Sequence, residues 1–268
     1  MLDQKTIDNI RETGLAQGAD GVEERNRILR QELGFRVADR AEYALIASCF
    51  LPTLITQDMK AFKNLLEYLE IDYTLLPKER CCGNLLYRMA LKDKTGEELK
   101  QADVIAREFL EDNLRQAGEV GASKVVAYCV GCDLVYHRLR GTVPVEIMWY
   151  PTLLARLFRG GKLELKADYY AGCHYFYHRT NDSLPDLDSP LTILKQIEGL
   201  ELNQLDDRLC CTRPQQMEPL LASIENKTII TVCTGCAMNL QAALKDRGDY
   251  RVVMLPEVAW ASVSDHSL

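Results

Sequence analysis

Apolar positions along the first 40 residues fall at helical spacing. Ile7 and Ile10 mark one face, Ile28, Leu29 and Leu33 mark another, and Gly14, Gly18 and Gly21 break the pattern between them. These residues, 1–40, predict a helical N-terminal extension, too small to fold alone and expected to lie on a neighbour. From Glu42 the pattern alternates between strand-like runs and amphipathic helices. Tyr43–Ala47 is a short apolar run, followed by a helix near Met59–Leu69, a strand at Tyr73–Leu76 closed by Pro77, and a long helix over roughly Glu97–Gln116. On that helix Val104, Ile105, Phe109 and Leu110 share the predicted apolar face. A strand at Val125–Tyr128 then leads to a helix through about Arg140, a strand at Val143–Met148 and a helix at Thr152–Phe158 opened by Pro151.

Gly160-Gly161 reads as a hinge, after which the programme restarts. Ala167–Ala171, Leu200–Leu205, Thr228–Val232 and Arg251–Leu255 are strand-like, and Leu191–Ile197, Pro219–Ile224 and Leu240–Leu244 are helical, with Pro256 opening a last helix. The fold class this predicts is α/β: two pseudo-symmetric βα-repeat domains, residues 41–160 and 161–268, with small, mostly parallel sheets flanked by helices. The second half is trimmed, with most of the long helix missing, so a partner or the N-terminal extension is expected to cover that side.

Composition narrows the class. Of 268 residues, 47% are hydrophobic and 26% charged, as in ordinary globular proteins. A net charge of −7 without a Lys/Arg block argues against nucleic acid as a partner. No apolar run reaches the ~18 residues that a membrane span requires, and the N-terminal residues lack a signal-peptide profile. A cytoplasmic location, or one peripheral to a membrane complex, is expected, where thiols stay reduced and dense cysteine means metal or redox chemistry.

Ten cysteines carry that chemistry, and they sort into two sets of the same order. Cys49, the vicinal pair Cys81-Cys82 and the C-x-x-C of Cys129 and Cys132 form the first; Cys173, Cys210-Cys211, Cys233 and Cys236 form the second. A C-x-x-C at a helix start lets two sulfurs converge, with N–H groups directed at the thiolates. Gly131 and Gly235 would let backbone approach closely there. Neighbouring side chains such as those of Cys81 and Cys82 diverge, which suits a polynuclear cluster better than one ion. Five thiolates also exceed the four of a structural zinc site, so an iron cluster explains each set better, with zinc the alternative for one or both. A thioredoxin-like pair or a zinc ribbon fits the spacing poorly.

At these residues the chain resembles the cysteine-rich CCG-domain family, most of all the B subunit of heterodisulfide reductase. It also resembles the corresponding half of the D subunit of heterodisulfide reductase and the iron–sulfur subunits of glycolate oxidase. The carrying stretches are Ser48-Cys49-Phe50-Leu51-Pro52, Arg80-Cys81-Cys82-Gly83, Tyr128-Cys129-Val130-Gly131-Cys132, Ala171-Gly172-Cys173-His174, Leu209-Cys210-Cys211-Thr212 and Val232-Cys233-Thr234-Gly235-Cys236. The extension, with Ile7 to Gly14, looks like the connector preceding this domain in fused relatives. The resemblance implies two CCG domains, each five-cysteine set holding a non-cubane [4Fe-4S] cluster. It implies that the pair cleaves a disulfide at a shared cavity. It further implies a ferredoxin-like C subunit with cubane clusters as partner, a flavoprotein A subunit, and a small disulfide substrate. Two departures stand out: Thr212 replaces the motif's glycine, and Ser48 replaces the usual glycine before Cys49.

The chain lacks a ferredoxin cysteine run and a G-x-G-x-x-G fingerprint, so electrons must come from a partner. The expected function is that of an oxidoreductase, the disulfide-reducing subunit of a complex. The alternative is a non-catalytic iron–sulfur electron-transfer subunit of a quinone-linked or flavin-dependent complex. His174, next to Cys173, and His178 are candidates to donate to a cluster sulfur or a substrate thiolate or to serve as a proton source, or else are ordinary packing or surface residues, with His137 behind them. Arg80, Arg208 and Arg213 flank the thiol pairs and would offset cluster charge, or else be solvated loop charges. The tyrosines over residues 169–177 are expected in core and cavity walls, and Asp186-Leu187-Asp188 as loop charge.

Overall fold

The computed structural model describes residues 2–93, 95–139, 145–265 and 268. They form two compact units that are not contiguous in sequence: Met1–Thr56 with Glu70–Tyr150 and Phe176–Pro185, and Gln57–Leu69 with Pro151–Tyr175 and Asp186–Leu268.

The first unit opens with α1 (Gln4–Thr13), capped by the Asp3 carboxylate, which accepts from the Thr6 N–H, and closed by Gly14 at φ +98°. Then come α2 (Ala19–Arg27) and a π-helical turn, Ile28–Glu32. Ile7, Ile10, Ile28, Leu29 and Leu33 are all buried, as their spacing predicts. Gly21, read as a break, lies inside α2. A Cβ there would come within 2.3 Å of the Gln17 Cβ, so a close approach explains the helix-weakening glycine.

The sheet contains β1 (Tyr43–Ile46), β2 (Tyr73–Leu75), β3 (Lys124–Ala127) and β4 (Glu146–Trp149) in the order β2-β1-β3-β4, every pairing parallel. The runs Tyr43–Ile46 and Lys124–Ala127 lack polar alternation because both faces are covered. Around it lie α3 (Leu51–Leu54), α5 (Asn84–Ala90), α6 (Glu97–Glu119) and α7 (Val130–Leu139), while α4 (Thr56–Tyr68) belongs almost wholly to the second unit. The expected helix end at Arg140 and strand start at Val143 lie outside the described residues. On α6 Ile105, Phe109 and Leu110 are buried, but Val104 is 72% exposed and does not belong to the apolar face.

The second unit repeats the plan after α8 (Tyr150–Leu157): β5 (Gly161–Tyr170), β6 (Ile197–Gln204), β7 (Thr228–Thr231) and β8 (Arg251–Met254) run parallel in the order β6-β5-β7-β8. Its helices are α9 (Tyr175–Thr180, most of which lies in the first unit), α10 (Asp188–Lys195), α11 (Pro214–Ala222), α12 (Thr234–Leu244) and α13 (Leu255–Val263). The expected hinge at Gly160-Gly161 falls within the second unit, where Gly160 precedes β5 and Gly161 opens it. A Cβ on Gly161 would lie 2.4 Å from the Ser262 carbonyl, so these glycines admit backbone contact and are not a flexible joint. Asp186 does more than carry loop charge: its carboxylate accepts from the Ser189 N–H and hydroxyl and from Thr152, anchoring the start of α10.

In both sheets the chain goes from the first strand to one edge and then crosses to the other side of that strand. The point where strand order reverses therefore lies between β1 and β3, and again between β5 and β7. Loops at the carboxyl ends of such strands form the natural crevice of a parallel sheet.

Candidate functional site

Each unit brings its own five cysteines to that crevice by the same offsets. Cys49 and Cys173 stand three residues past β1 and β5, Cys129 and Cys233 two past β3 and β7, and Cys81 and Cys210 six past β2 and β6. None of the ten is joined to another in a disulfide.

In the first set Cys49 Sγ lies 3.4 Å from Cys81 Sγ. The Cys82 thiol faces those of Cys132 and Cys81, and its sulfur lies 3.9 Å from the Gly131 carbonyl. The expected divergence of the two adjacent side chains is therefore incomplete, because the Cys81 and Cys82 thiols also face each other. Cys129 directly precedes α7, and its sulfur accepts from the Gly131 N–H at 3.2 Å. The Cys132 thiol and then the N–H groups of Cys132 and Gly131 lower Cys129 to about 7 against the opposing effect of burial, and the Ser48 hydroxyl adds to them. Cys81 is held well below its ordinary value, first by the thiols of Cys49 and Cys82, then by the N–H groups of Gly83 and Ala16. Helix-start and loop N–H groups therefore already favour thiolate at both positions.

The second set is laid out alike. Cys211 Sγ is 3.4 Å from Cys236 Sγ, Cys210 neighbours Cys173, and Cys233 is the N-cap of α12. Asn239 Nδ2 donates to Cys211 Sγ at 3.5 Å; the Cys236 thiol, ahead of Asn239, lowers Cys211 to about 7. Burial pushes Cys173 up to about 12. Among the described residues, no group of three or more His, Cys, Asp and Glu side chains has the arrangement of a single-ion site. What the residues do present in each unit is five soft sulfur donors with N–H groups aimed at them, and this donor set fits an iron–sulfur cluster.

The departures at Ser48 and Thr212 resolve differently. Gly172, before Cys173, has φ +95°, and Ser48, before Cys49, takes the same left-handed turn at φ +78°. A Cβ on Gly172 would sit 3.2 Å from Cys236 Sγ, whereas Ser48 fits a side chain and uses it on Cys129. Ser48→Gly is therefore expected to leave stability within about 1 kcal/mol of the parent, relief of the turn offsetting the lost hydroxyl. Ser48→Val should cost about 1–3 kcal/mol, since a β-branched residue tolerates this backbone worst. Thermal unfolding of the two variants checks this, and equal behaviour would contradict it. At the other departure, Gly83 has φ +82° and leads straight into α5, while Thr212 keeps a negative φ and its hydroxyl lies 3.0 Å from Cys210 Sγ. The loop does differ there, and no sulfur is displaced.

The side chains flanking the cysteines have the following partners. Arg80 is committed elsewhere: its guanidinium pairs with Asp112 at 2.7 Å and donates to the carbonyls of Ile10 and Arg11, where it ties the C-terminal end of α1 to α6. Arg208 is exposed on Asp206, and Arg213 lies over the Tyr175 ring at 4.4 Å. His137 Nε2 is 2.6 Å from Ser183 Oγ, and His174 Nε2 is 2.9 Å from the Ala171 carbonyl, with left-handed backbone at φ +44°. Tyr169, Tyr170 and Tyr177 are core residues. Gly131 does admit a close neighbour, Asn84 at 3.1 Å from a Cβ built there, but Gly235 meets only ordinary contact.

Sequence reasoning missed a buried ion pair. Glu79, two residues before Cys81, accepts from the N–H groups of Ala47 and Ser48 at 2.9 and 3.0 Å and from Arg25 of α2. Arg25 Nε in turn donates to the Ser48 carbonyl at 2.7 Å. Burial pushes the Glu79 carboxyl up, while Arg25 and the two N–H groups oppose it. The extension packs on the first unit, with Ile7, Ile10 and Leu15 in one core with Cys49, Cys81 and Cys82.

Comparison with known proteins agrees with the cysteine pattern. The family model for the CCG cysteine-rich domain matches residues 43–135 and again 167–241. The D subunit of dihydromethanophenazine:CoB–CoM heterodisulfide reductase from Methanosarcina acetivorans is 25% identical over 183 residues, 64% of this chain and 42% of that protein. The chain thus spans about two fifths of that relative's length. Among solved structures, an aspartate racemase homologue from Pyrococcus horikoshii OT3 is 13% identical, covers 84% of this chain and 96% of its own, and has a TM-score of 0.35. A glutamate racemase isoform from Bacillus anthracis is 10% identical over 84% and 80% of the two chains, at the same TM-score of 0.35. Superpositions that loose carry no argument. With both halves matched at their cysteine-bearing loops, the chain belongs to the CCG cysteine-rich domain family.

Proposed function

We propose that the chain is an iron–sulfur redox subunit of the heterodisulfide reductase kind, equivalent to the B subunit, and that it reduces a small disulfide. The observation that carries this reading is the duplicated convergence of five thiols at the strand ends of each unit. Cys49, Cys81, Cys82, Cys129 and Cys132 would hold one non-cubane [4Fe-4S] cluster. Cys173, Cys210, Cys211, Cys233 and Cys236 would hold the other. Bound there, the clusters would supply one-electron chemistry that the side chains lack.

The reaction balances as R–S–S–R′ with two electrons and two protons giving R–SH and R′–SH. The electrons come from a ferredoxin-like C subunit with cubane clusters, itself served by a flavoprotein A subunit. His174, beside Cys173, is assigned as the proton donor to a leaving thiolate. Among the described residues no helix is long and apolar enough to cross a membrane. A reducing compartment such as the cytoplasm suits ten thiols without a disulfide.

The test is turnover. Anaerobically purified complex, given a reduced low-potential donor, should convert a mixed disulfide to its two thiols at a rate that falls at least tenfold in Cys81→Ser. Rapid electron passage through the complex with no disulfide consumed would favour the relay alternative.

A further inference from the structure

The loop Gly14–Gln17 lies against the first cysteine set. The Cys81 N–H donates to the Gly14 carbonyl at 2.7 Å, and the Ala16 N–H reaches the Cys81 sulfur. Gln17 Nε2 donates to the Cys49 carbonyl at 2.7 Å. Its other amide atom, Oε1, is buried with no hydrogen-bond partner. An unmatched buried amide oxygen costs about 1–3 kcal/mol, which methionine of similar length would avoid. Packing alone therefore does not explain a glutamine here. Room is made for it too, because a Cβ on Gly21 would collide with the Gln17 side chain.

We propose that Gln17 is a positioning residue of the first cluster site. Through Nε2 it fixes the carbonyl of Cys49, and through the loop it shares with Ala16 it keeps an N–H aimed at the Cys81 thiolate. The inference rests on the cluster reading and deepens it: the N-terminal extension is part of the first metal site. N–H donors to ligand sulfur raise a cluster's reduction potential, so the loop that Gln17 holds tunes the first cluster.

The test uses the full chain prepared anaerobically, with iron analysis, EPR and redox titration of the parent, Gln17→Met and Gln17→Glu. Methionine keeps the volume, and glutamate keeps the shape but removes the donor to Cys49. In both variants one of two cluster signals is expected to shift in g-values and midpoint, downward in Gln17→Met, while the other stays in place. The shifting signal is the one that Cys81→Ser abolishes. Loss of the first-set iron alone, with the second signal unchanged, supports the assignment equally. Unchanged signals at full iron, or equal change in both, overturn it. A parent chain with no iron would instead end the cluster reading, so the two failures are distinguishable.

Discussion

Replacing Arg25 with methionine is expected to destabilise the first unit by about 3–5 kcal/mol, because the Glu79 carboxylate is left buried without its countercharge. The same change should empty the first cysteine set, since Glu79 and Arg25 together grip Ala47 and Ser48, the backbone that aims Cys49. Adding Glu79→Gln to Arg25→Met removes the second charge and keeps an acceptor for one of the two N–H groups. Most of the lost stability should return in that double variant. Urea unfolding of the metal-free parent, single and double variants reads the difference. A single variant within about 1 kcal/mol of the parent would contradict the account, as would a double variant no better than the single.

That ion pair also marks the limit of what the sequence reveals. The cysteine order, the strand runs and the repeat are readable because each rests on local spacing. Tyr43–Ile46 and Thr228–Thr231 read as strands since strands of a parallel sheet buried on both faces are rich in apolar and β-branched residues without polar alternation. Arg25 and Glu79 are 54 residues apart and look like surface charges until the fold joins them. Gly21 looks like a helix break because the residue types do not show that a Cβ there would meet Gln17, one turn earlier. Short helices also leave little trace: Asn84–Ala90 and Tyr175–Thr180 offer too few turns for a periodic signal. Val104 reads as part of the apolar face because it stands among apolar neighbours, although helix geometry puts it to the side of Ile105 and Phe109. The Thr212 loop, by contrast, is legible, since the absence of glycine already rules out an easy left-handed turn.

The second large effect concerns the duplication itself. Cys81→Ser and Cys211→Ser should each remove about half of the iron, and each should leave the other unit's signal intact, because each set is assembled on its own sheet. Serine oxygen is a poor substitute for a thiolate that loop N–H groups and neighbouring thiols have already stabilised, as at Cys81. The double variant should hold none and still fold, since the two cores comprise far more than the two sulfurs. Iron analysis with circular dichroism on all three checks this. Complete loss of iron from either single variant would show one shared centre instead of two.

The most direct measurement is iron, acid-labile sulfide and zinc in the parent chain, purified without oxygen and accompanied by EPR. The account requires iron and sulfide in nearly equal amounts, sufficient for two four-iron clusters, with two separable paramagnetic signals. Fully folded protein carrying zinc in place of iron, or no metal at all, would contradict it.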